Sequence, residues 1–514
     1  MKKILLSAAA VLLGVGAAYA GANVYASSLK LDSGKVSFVL NDDATMVVFN
    51  IIENGHTVAS ADLGAGIKGL NTFDVPSFNV APGTYQWSIT ASADANTEVV
   101  LLTDGTDENL QTSSGRGIAV DMFPSSPAFG NVYVVSPATA GQAGARVEVG
   151  MYVFNAAMQP VNATPYTGGI EWEKGNSNPN NVDVAENGQV FICSWADGQG
   201  GVYVADPDNL AGNWASVFAD GERDDKGLVT INGAKVHGSV QDVALYGSGD
   251  ARMMYTTDED MNVNNGDIMV YNIGTLSNPW NTAPTADWGH DAGYVNANHR
   301  LASDQRGGLW LGQYRWQESA ANACVYHINA KGEWDFHTGD KSIFLGSTPA
   351  GAIACNADGS LLACVGGDNG KSFVVAKAVY DENGLPELEK YCEFSYTGYG
   401  TRPMAAAFDA ADNLYVIFNN ADNTGGVAVF ALPAEKNEYT APATSDIEIS
   451  TSGIVETSVA GYTFAGGIIT AETGASVYTI TGVKVAEGTV IDTSILASGV
   501  YAVRTDKTTF KIVK

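Results

Sequence analysis

Val182-Asp183-Val184-Ala185-Glu186-Asn187-Gly188-Gln189-Val190-Phe191-Ile192 is the stretch that decides the fold. An apolar run enters an Asn-Gly turn and an apolar run leaves it, which is the signature of a tight two-stranded hairpin. The same grammar returns as Ile353–Ala363 through Asp358-Gly359, as Leu301–Leu311 through Arg306-Gly307-Gly308, and as Ala406–Val416 through Asp412-Asn413. Looser copies begin near Ile118 and near Val240. Each hairpin is followed by a third apolar strand, as in Gly201-Val202-Tyr203-Val204, Asp267–Tyr271, Cys324–Ile328, Ser372–Val375 and Val427–Phe430. A weaker fourth strand follows most copies, as in Ala215–Phe218 and Glu333–Phe336. Short strands in fours, repeated at roughly 45 to 60 residues, predict the blades of a β-propeller. Six copies fit between Ile118 and Leu432.

A ring of blades has to close on itself. The last copy runs out at Phe430-Ala431-Leu432 before Pro433, while Glu98-Val99-Val100-Leu101-Leu102 stands alone before the first copy. That orphan strand is expected to complete the last blade and so remove an unpaired edge. The expected fold class is therefore all-β, a six-bladed propeller over residues 94–437 flanked by two small Ig-like β-sandwich domains.

Composition agrees with many short strands. Of the 514 residues 58 are glycine and only 16% are charged, against 45% hydrophobic, which suits tight turns better than long solvated helices. The formal net charge of −29 repels phosphate backbones and anionic lipid surfaces, so no nucleic-acid partner is expected. Lys2 and Lys3, the apolar run Ile4–Ala18 and the small-x-small site Ala18-Tyr19-Ala20 read as a signal peptide over residues 1–20, with a second cleavage site at Val24-Tyr25-Ala26. No later segment is apolar enough to cross a membrane as a helix, so no transmembrane segment is expected in the mature chain. Cys193, Cys324, Cys355, Cys364 and Cys392 match no zinc spacing and read as buried free thiols, with one disulfide as the alternative that the strand spacing does not force.

Two flanking segments carry resemblances. Residues 28–93 include Leu40-Asn41, Glu53-Asn54-Gly55, Gly69–Phe73 and Ala81-Pro82-Gly83-Thr84-Tyr85, and this run resembles the FlgD-like immunoglobulin-type sandwich of bacterial exported proteins. After a linker at Glu438–Ser445, residues 446–514 contain Tyr478-x-x-x-Gly482-x-x-Val485, Leu496-x-x-Gly499-Val500-Tyr501 and a final Lys511-x-x-Lys514. This set resembles the C-terminal sorting domain of the Bacteroidetes type IX secretion system. The resemblance implies an outer-membrane secretion machinery as partner and an extracellular or outer-surface location.

Functional residues are sparse. The sequence has no Gly-x-Ser-x-Gly elbow, no His-Glu-x-x-His and no phosphate-binding glycine loop. Its six histidines, His56, His237, His290, His299, His327 and His337, are scattered, and His327 lies in a third strand, where a structural role is expected. The segments entering first strands carry Arg116, Asn181, His237, His299, Arg300 and Arg402, and the second-to-third loops add Trp195, Arg315 and Trp316. Gathered round one mouth of the channel, these donors and rings would suit a carboxylate, a sulfate, a sugar or a peptide. Trp310 alternates inside a strand and reads as core. Asp258–Asp267 alternates oxygen ligands in a manner that suits calcium, but its glycine falls one place late and the terminal bidentate Glu is missing. An Asn/Asp-rich hairpin loop without a resident cofactor is the expectation there.

The reading that follows is a secreted or cell-surface, non-catalytic protein binding an extracellular glycan or peptide. The alternative is a propeller enzyme, a metal-dependent lactonase or lyase or a glycan-processing hydrolase. It needs inward carboxylates, of which few are expected at the channel mouth. A structural envelope or matrix component is a third reading. N-terminal sequencing of the exported protein is expected to start at Gly21; a product that keeps Met1 would refute the leader assignment.

Overall fold

The computed structural model describes residues 23–137, 148–173, 177–261, 267–289, 299–313, 325–338, 350–366, 372–396, 398–399, 402–419, 424–449, 462–465, 467–506 and 509–514. Strands dominate the described residues, and the helical elements among them are single 3₁₀ turns. No described helix is long and apolar enough to cross a membrane. The chain divides into two compact units, one holding Asp94–Asn437 and the other built from Val24–Ala93 together with Glu438–Lys514.

The first unit is a series of antiparallel meanders with a propeller-like organisation. Each meander starts with an inner strand: Gly117–Val120, Ser177–Val184, Val240–Tyr246, His299–Ser303, Ala350–Cys355 and Arg402–Phe408. Successive strands then pair outward in chain order, as from Ser177–Val184 to Val190–Trp195, Gly201–Ala205 and Ala215–Ser216. The inner strands neighbour one another in chain order, and the last packs against the first. In the last meander the third strand, Thr424–Ala431, takes its outer partners from the start of the unit, Val100–Leu101 and Gln111–Ser113. Leu102 N also donates to Val429 O at 2.8 Å.

Turn chemistry fixes each inner hairpin. Asp409 accepts the N–H groups of Ala411 and Asn413, both at 2.9 Å, and Asp304 accepts those of Arg306 and Gly308. These Asx-type bonds hold the bend without help from the ladder. Gly188, Gly307 and Gly359 adopt positive φ in these turns, and at Gly308 a Cβ would stand 2.3 Å from Ile328 O, so no side chain fits there.

Bonds between neighbouring turns tie the meanders together. Arg252, with its side chain 2% exposed, meets Glu186 of the preceding hairpin through Nη2 at 2.9 and 3.1 Å and Nε at 3.2 Å, while its Nη1 donates to Gln189. Tyr255 donates to Gly307 O at 2.8 Å and Asn356 to Asp412 at 2.9 Å, each reaching the following hairpin. A three-stranded insertion, Glu222–Arg223, Val229–Ile231 and Ala234–His237, separates the second meander from the third.

In the second unit Gly83–Ala93 buries Tyr85, Trp87, Ile89 and Ala91 on one face, as a strand with a core face should, and also buries Ser88 on the other. Trp87 stacks on Phe49 of the neighbouring strand Ala44–Glu53 at 5.1 Å. The stretch expected to be a linker is instead structural. Ile447–Ile449 pairs with Gly83–Tyr85, Ala443 N donates to Trp87 O, and Thr440 bonds Thr90. Val24, Tyr25 and Ala26 are fully buried, so cleavage after Ala26 would strip core residues from this unit. The C-terminal sheet turns at Gly482, whose φ is +85°, with Val483 N bonded to Thr479 Oγ1. Its core is Ile469, Val477, Ile491, Val503 and Ile512, and the Lys514 amine is held by the carbonyl of Leu496 at 2.7 Å.

Arg252 is buried while Glu186 is 26% exposed, so removing the arginine costs its packed stem and four hydrogen bonds and leaves a partly solvated carboxylate. Arg252→Ala is expected to lower the unfolding free energy by about 3 kcal/mol in urea titration, and Lys35→Ala, at an exposed pair, by under about 1 kcal/mol.

Candidate functional site in the channel

The six inner strands converge on one cavity of 80 Å³. Two layers of side chains describe it, read from the registers of the inner hairpins. In the deeper layer Ala119, Asp183, Ala244, Ala302, Ala354 and Ala407 pair opposite Tyr133, Phe191, Tyr255, Trp310, Ala363 and Tyr415. All six inner residues line the cavity. Alanine recurs because strands crowd together near an axis, while the second strands stand further out and have room for rings. Asp183 is the exception in that layer.

Two residues earlier on each strand lies the layer nearer the strand starts: Gly117, Asn181, Asp242, Arg300, Ala352 and Ala405. Here the polar residues are consecutive round the ring. Asn181 Nδ2 donates to Asp242 Oδ1, and Arg300 Nη1 lies 3.8 Å from Asp242 Oδ2. Gly117 is required, since a Cβ would stand 2.4 Å from Asn181 Oδ1.

Both aspartates bind the backbone of the next inner strand. Asp183 Oδ2 accepts Leu245 N at 2.7 Å and Asp242 Oδ2 accepts Leu301 N at 2.9 Å. Their other oxygens accept the following residue on their own strand, Val184 N and Val243 N. Burial pushes the Asp183 carboxyl up to about 7, and the charge of Asp242 adds to the rise while the two N–H bonds oppose it. Burial also raises Asp242, against which Arg300 acts first and the Asn181, Leu301 and Val243 bonds follow. The channel therefore holds the carboxylates that the sequence reading did not expect. Their signal was present, since Asp183 and Asp242 each interrupt an apolar strand at an inward position.

Arg300 is 6% exposed, and of its five N–H groups one makes a hydrogen bond among the described residues, from Nη2 to Arg116 O at a long 3.4 Å. Arg300 and Asn181 line the cavity; Arg116, Trp195, His237 and Arg402 do not. Arg116 meets the site through its backbone carbonyl. Trp195 is half-buried, with its indole N–H donated to Glu259. His237 ends the inserted sheet and stacks on Phe218 at 4.1 Å. Burial drops its imidazole to about 4, so it is a neutral core residue and not a channel donor. Arg402 is half-buried at the start of its strand. The side chain of His299, and all of Arg315 and Trp316, lie outside the described residues.

Two other polar sites have structural duties. His327 is wedged between Asp304 at 3.1 Å and Asp335 at 2.6 Å, over the buried ring of Trp310. In the acidic loop, Asp258 accepts Gly238 N, Asp260 N and Met261 N, and Asp260 accepts Ser239 N. These carboxylates cap backbone donors; residues 262–266 are outside the described set. Cys193 and Cys355 are buried free thiols, Cys364 is buried, and Cys392 is a partly buried free thiol; Cys324 lies outside the described residues.

No protein-family model matches the chain, and no curated protein matches it. Among solved structures, a gluconolactonase from Xanthomonas campestris aligns over 67% of this chain and 90% of its own, at 12% identity and a TM-score of 0.37. A putative 6-phosphogluconolactonase from Bacteroides uniformis aligns over 77% and 99%, at 15% identity and 0.35. KlAtg21, solved with the coiled coil of AgAtg16, aligns over 73% and 99%, at 15% identity and 0.36. Likenesses of this strength assign neither a family nor an activity.

The buried acids set a pH dependence. Asp121, Asp183 and Asp409 are raised to about 7 and Asp258 to about 6, from 3.8, in each case by burial. Between pH 4 and 7 the native chain holds protons that the unfolded chain has released, so stability from these groups falls as pH rises. His237 works in the opposite direction between 6.5 and 4, one group against these four and the likewise raised Asp242 and Asp412. Unfolding free energy is expected to fall as pH is raised from 4 to 7, and to fall less in Asp183→Asn; a flat profile would contradict the assignment.

Proposed function

We propose that the first unit is a six-bladed propeller of an exported protein, and that its channel binds an extracellular glycan or peptide without transforming it. The observation that carries this reading is the state of Arg300. A buried guanidinium with one long hydrogen bond and a loose ion contact retains donors for a ligand acceptor, and it suits a carboxylate or a sulfate in two-pronged fashion. Asn181, held by Asp242, fixes the floor beside it. The aspartates, by contrast, are occupied by backbone donors on both oxygens, which favours holding the ring over handling protons. The leader and the C-terminal motifs support a location outside the cell or on its outer surface, reached through an outer-membrane secretion machinery.

A second reading has one observation in its favour. Asp183 borders the cavity with a carboxyl raised to about 7, the range a general acid needs at neutral pH. On that reading the chain is a hydrolase acting on a lactone or a glycosidic bond.

Glycan and peptide arrays probed with the full chain are expected to give selective binding, weakened by roughly 2 kcal/mol or more in Arg300→Gln, the cost of losing a buried charged contact. Binding that ignores Arg300→Gln, or none at all, would overturn the first reading. Turnover of lactone or glycoside substrates that vanishes in Asp183→Asn would establish the second.

A further inference from the structure

Beneath the Arg300 layer the cavity has a different character. Five of its six layer positions are alanine and the sixth is Asp183. The carboxyl accepts two backbone N–H groups, from Val184 and Leu245, and no cationic side chain among the described residues pairs with it. The nearest arginine in the channel, Arg300, belongs to the other layer and faces Asp242. A strand rises about 3.3 Å per residue, so the two layers stand about 7 Å apart along the strands. Asp183 is thus a half-buried carboxylate without a counter-ion among the described side chains, bordering a small space. The wall at this level is five alanines, with Met122, Phe123, Ser303 and Gln305 also lining the cavity.

We propose that Asp183 and the surrounding alanines form a subsite for a small primary ammonium group. An ammonium supplies the missing charge and donates to the lone pairs that the backbone bonds leave open, and the methyl walls accept the carbon that bears it. A bare divalent cation fits less well. Calcium takes 6–8 oxygen ligands, whereas five of the six side chains in this layer offer none. An anion is disfavoured by the Asp183 charge. The subsite is separate from the Arg300 contact, and a ligand bearing both an acidic group and an amine would span the two.

The proposal makes affinity depend on the ionised carboxyl. Burial raises that carboxyl to about 7, so ammonium binding is full above that pH and declines about tenfold per unit below it. Methylammonium chloride titrated into the full chain, followed by calorimetry at pH 8 and pH 5.5, is the direct test. Binding at pH 8 is expected to weaken at least tenfold at pH 5.5 and to be lost in Asp183→Asn. Ala407→Leu, which fills the cavity and leaves the carboxyl in place, is expected to abolish it too, with circular dichroism showing both variants folded. Potassium chloride binding as tightly as methylammonium would overturn the ammonium assignment. So would binding indifferent to Asp183→Asn, or no methylammonium binding at pH 8. The array screen reads Arg300 and this titration reads Asp183, so either result can fail while the other stands.

Discussion

The carboxylate that reaches from one inner strand to the amide of the next is the contact on which the channel depends. Within each meander the strands are held by backbone ladders, but neighbouring inner strands share no ladder. Asp183 bonds Leu245 N and Asp242 bonds Leu301 N, each while bound to its own strand. Three consecutive inner strands are thereby set at a fixed distance, and Asn181 and Arg300 are held against the second of those carboxylates. Such an arrangement costs desolvation, seen in the raised carboxyls, and backbone hydrogen bonding offsets part of it. A half-satisfied carboxylate in that place would be worse than none.

Crowding at the axis explains the rest of the site. Six inner strands leave little room between them, so their side chains are small and the rings of Tyr133, Phe191, Tyr255, Trp310 and Tyr415 sit one strand further out. Small residues do not fill the space completely, and the remainder is the cavity. The position that is not alanine therefore dominates its chemistry. The same logic places the polar lining on a rigid scaffold, because Asn181, Asp183 and Arg300 all sit on strands whose neighbours fix them.

Hairpins, meanders and the ring's closing strand were legible in the sequence, for a physical reason. Turn residues act locally, and the alternation of apolar residues reports one strand's own burial, so each copy announces itself without its neighbours. Closure followed from a simple need, since an unpaired edge calls for a partner. The residues lining the cavity were legible only in part. Asn181 and Arg300 do line the cavity, but His237 lies in an inserted sheet that the repeat pattern concealed, stacked on Phe218. The aspartates stand in the sequence as interruptions of apolar strands, but a charged residue there has no reading until its partner strand is known.

By itself the amino-acid sequence determined an all-β chain of repeated hairpins, with turns at fixed places and no nucleophile motif. These are properties of neighbours along the chain. Only the tertiary structure decided that Glu438–Ser445 belongs to the unit begun by Val24–Ala93. Only it gathered five alanines and Asp183 into one layer, with Asn181, Asp242 and Arg300 in the layer beside it. Each of those groupings joins residues far apart in sequence, and what makes them one site is the convergence of strands on a common axis, which no local pattern encodes.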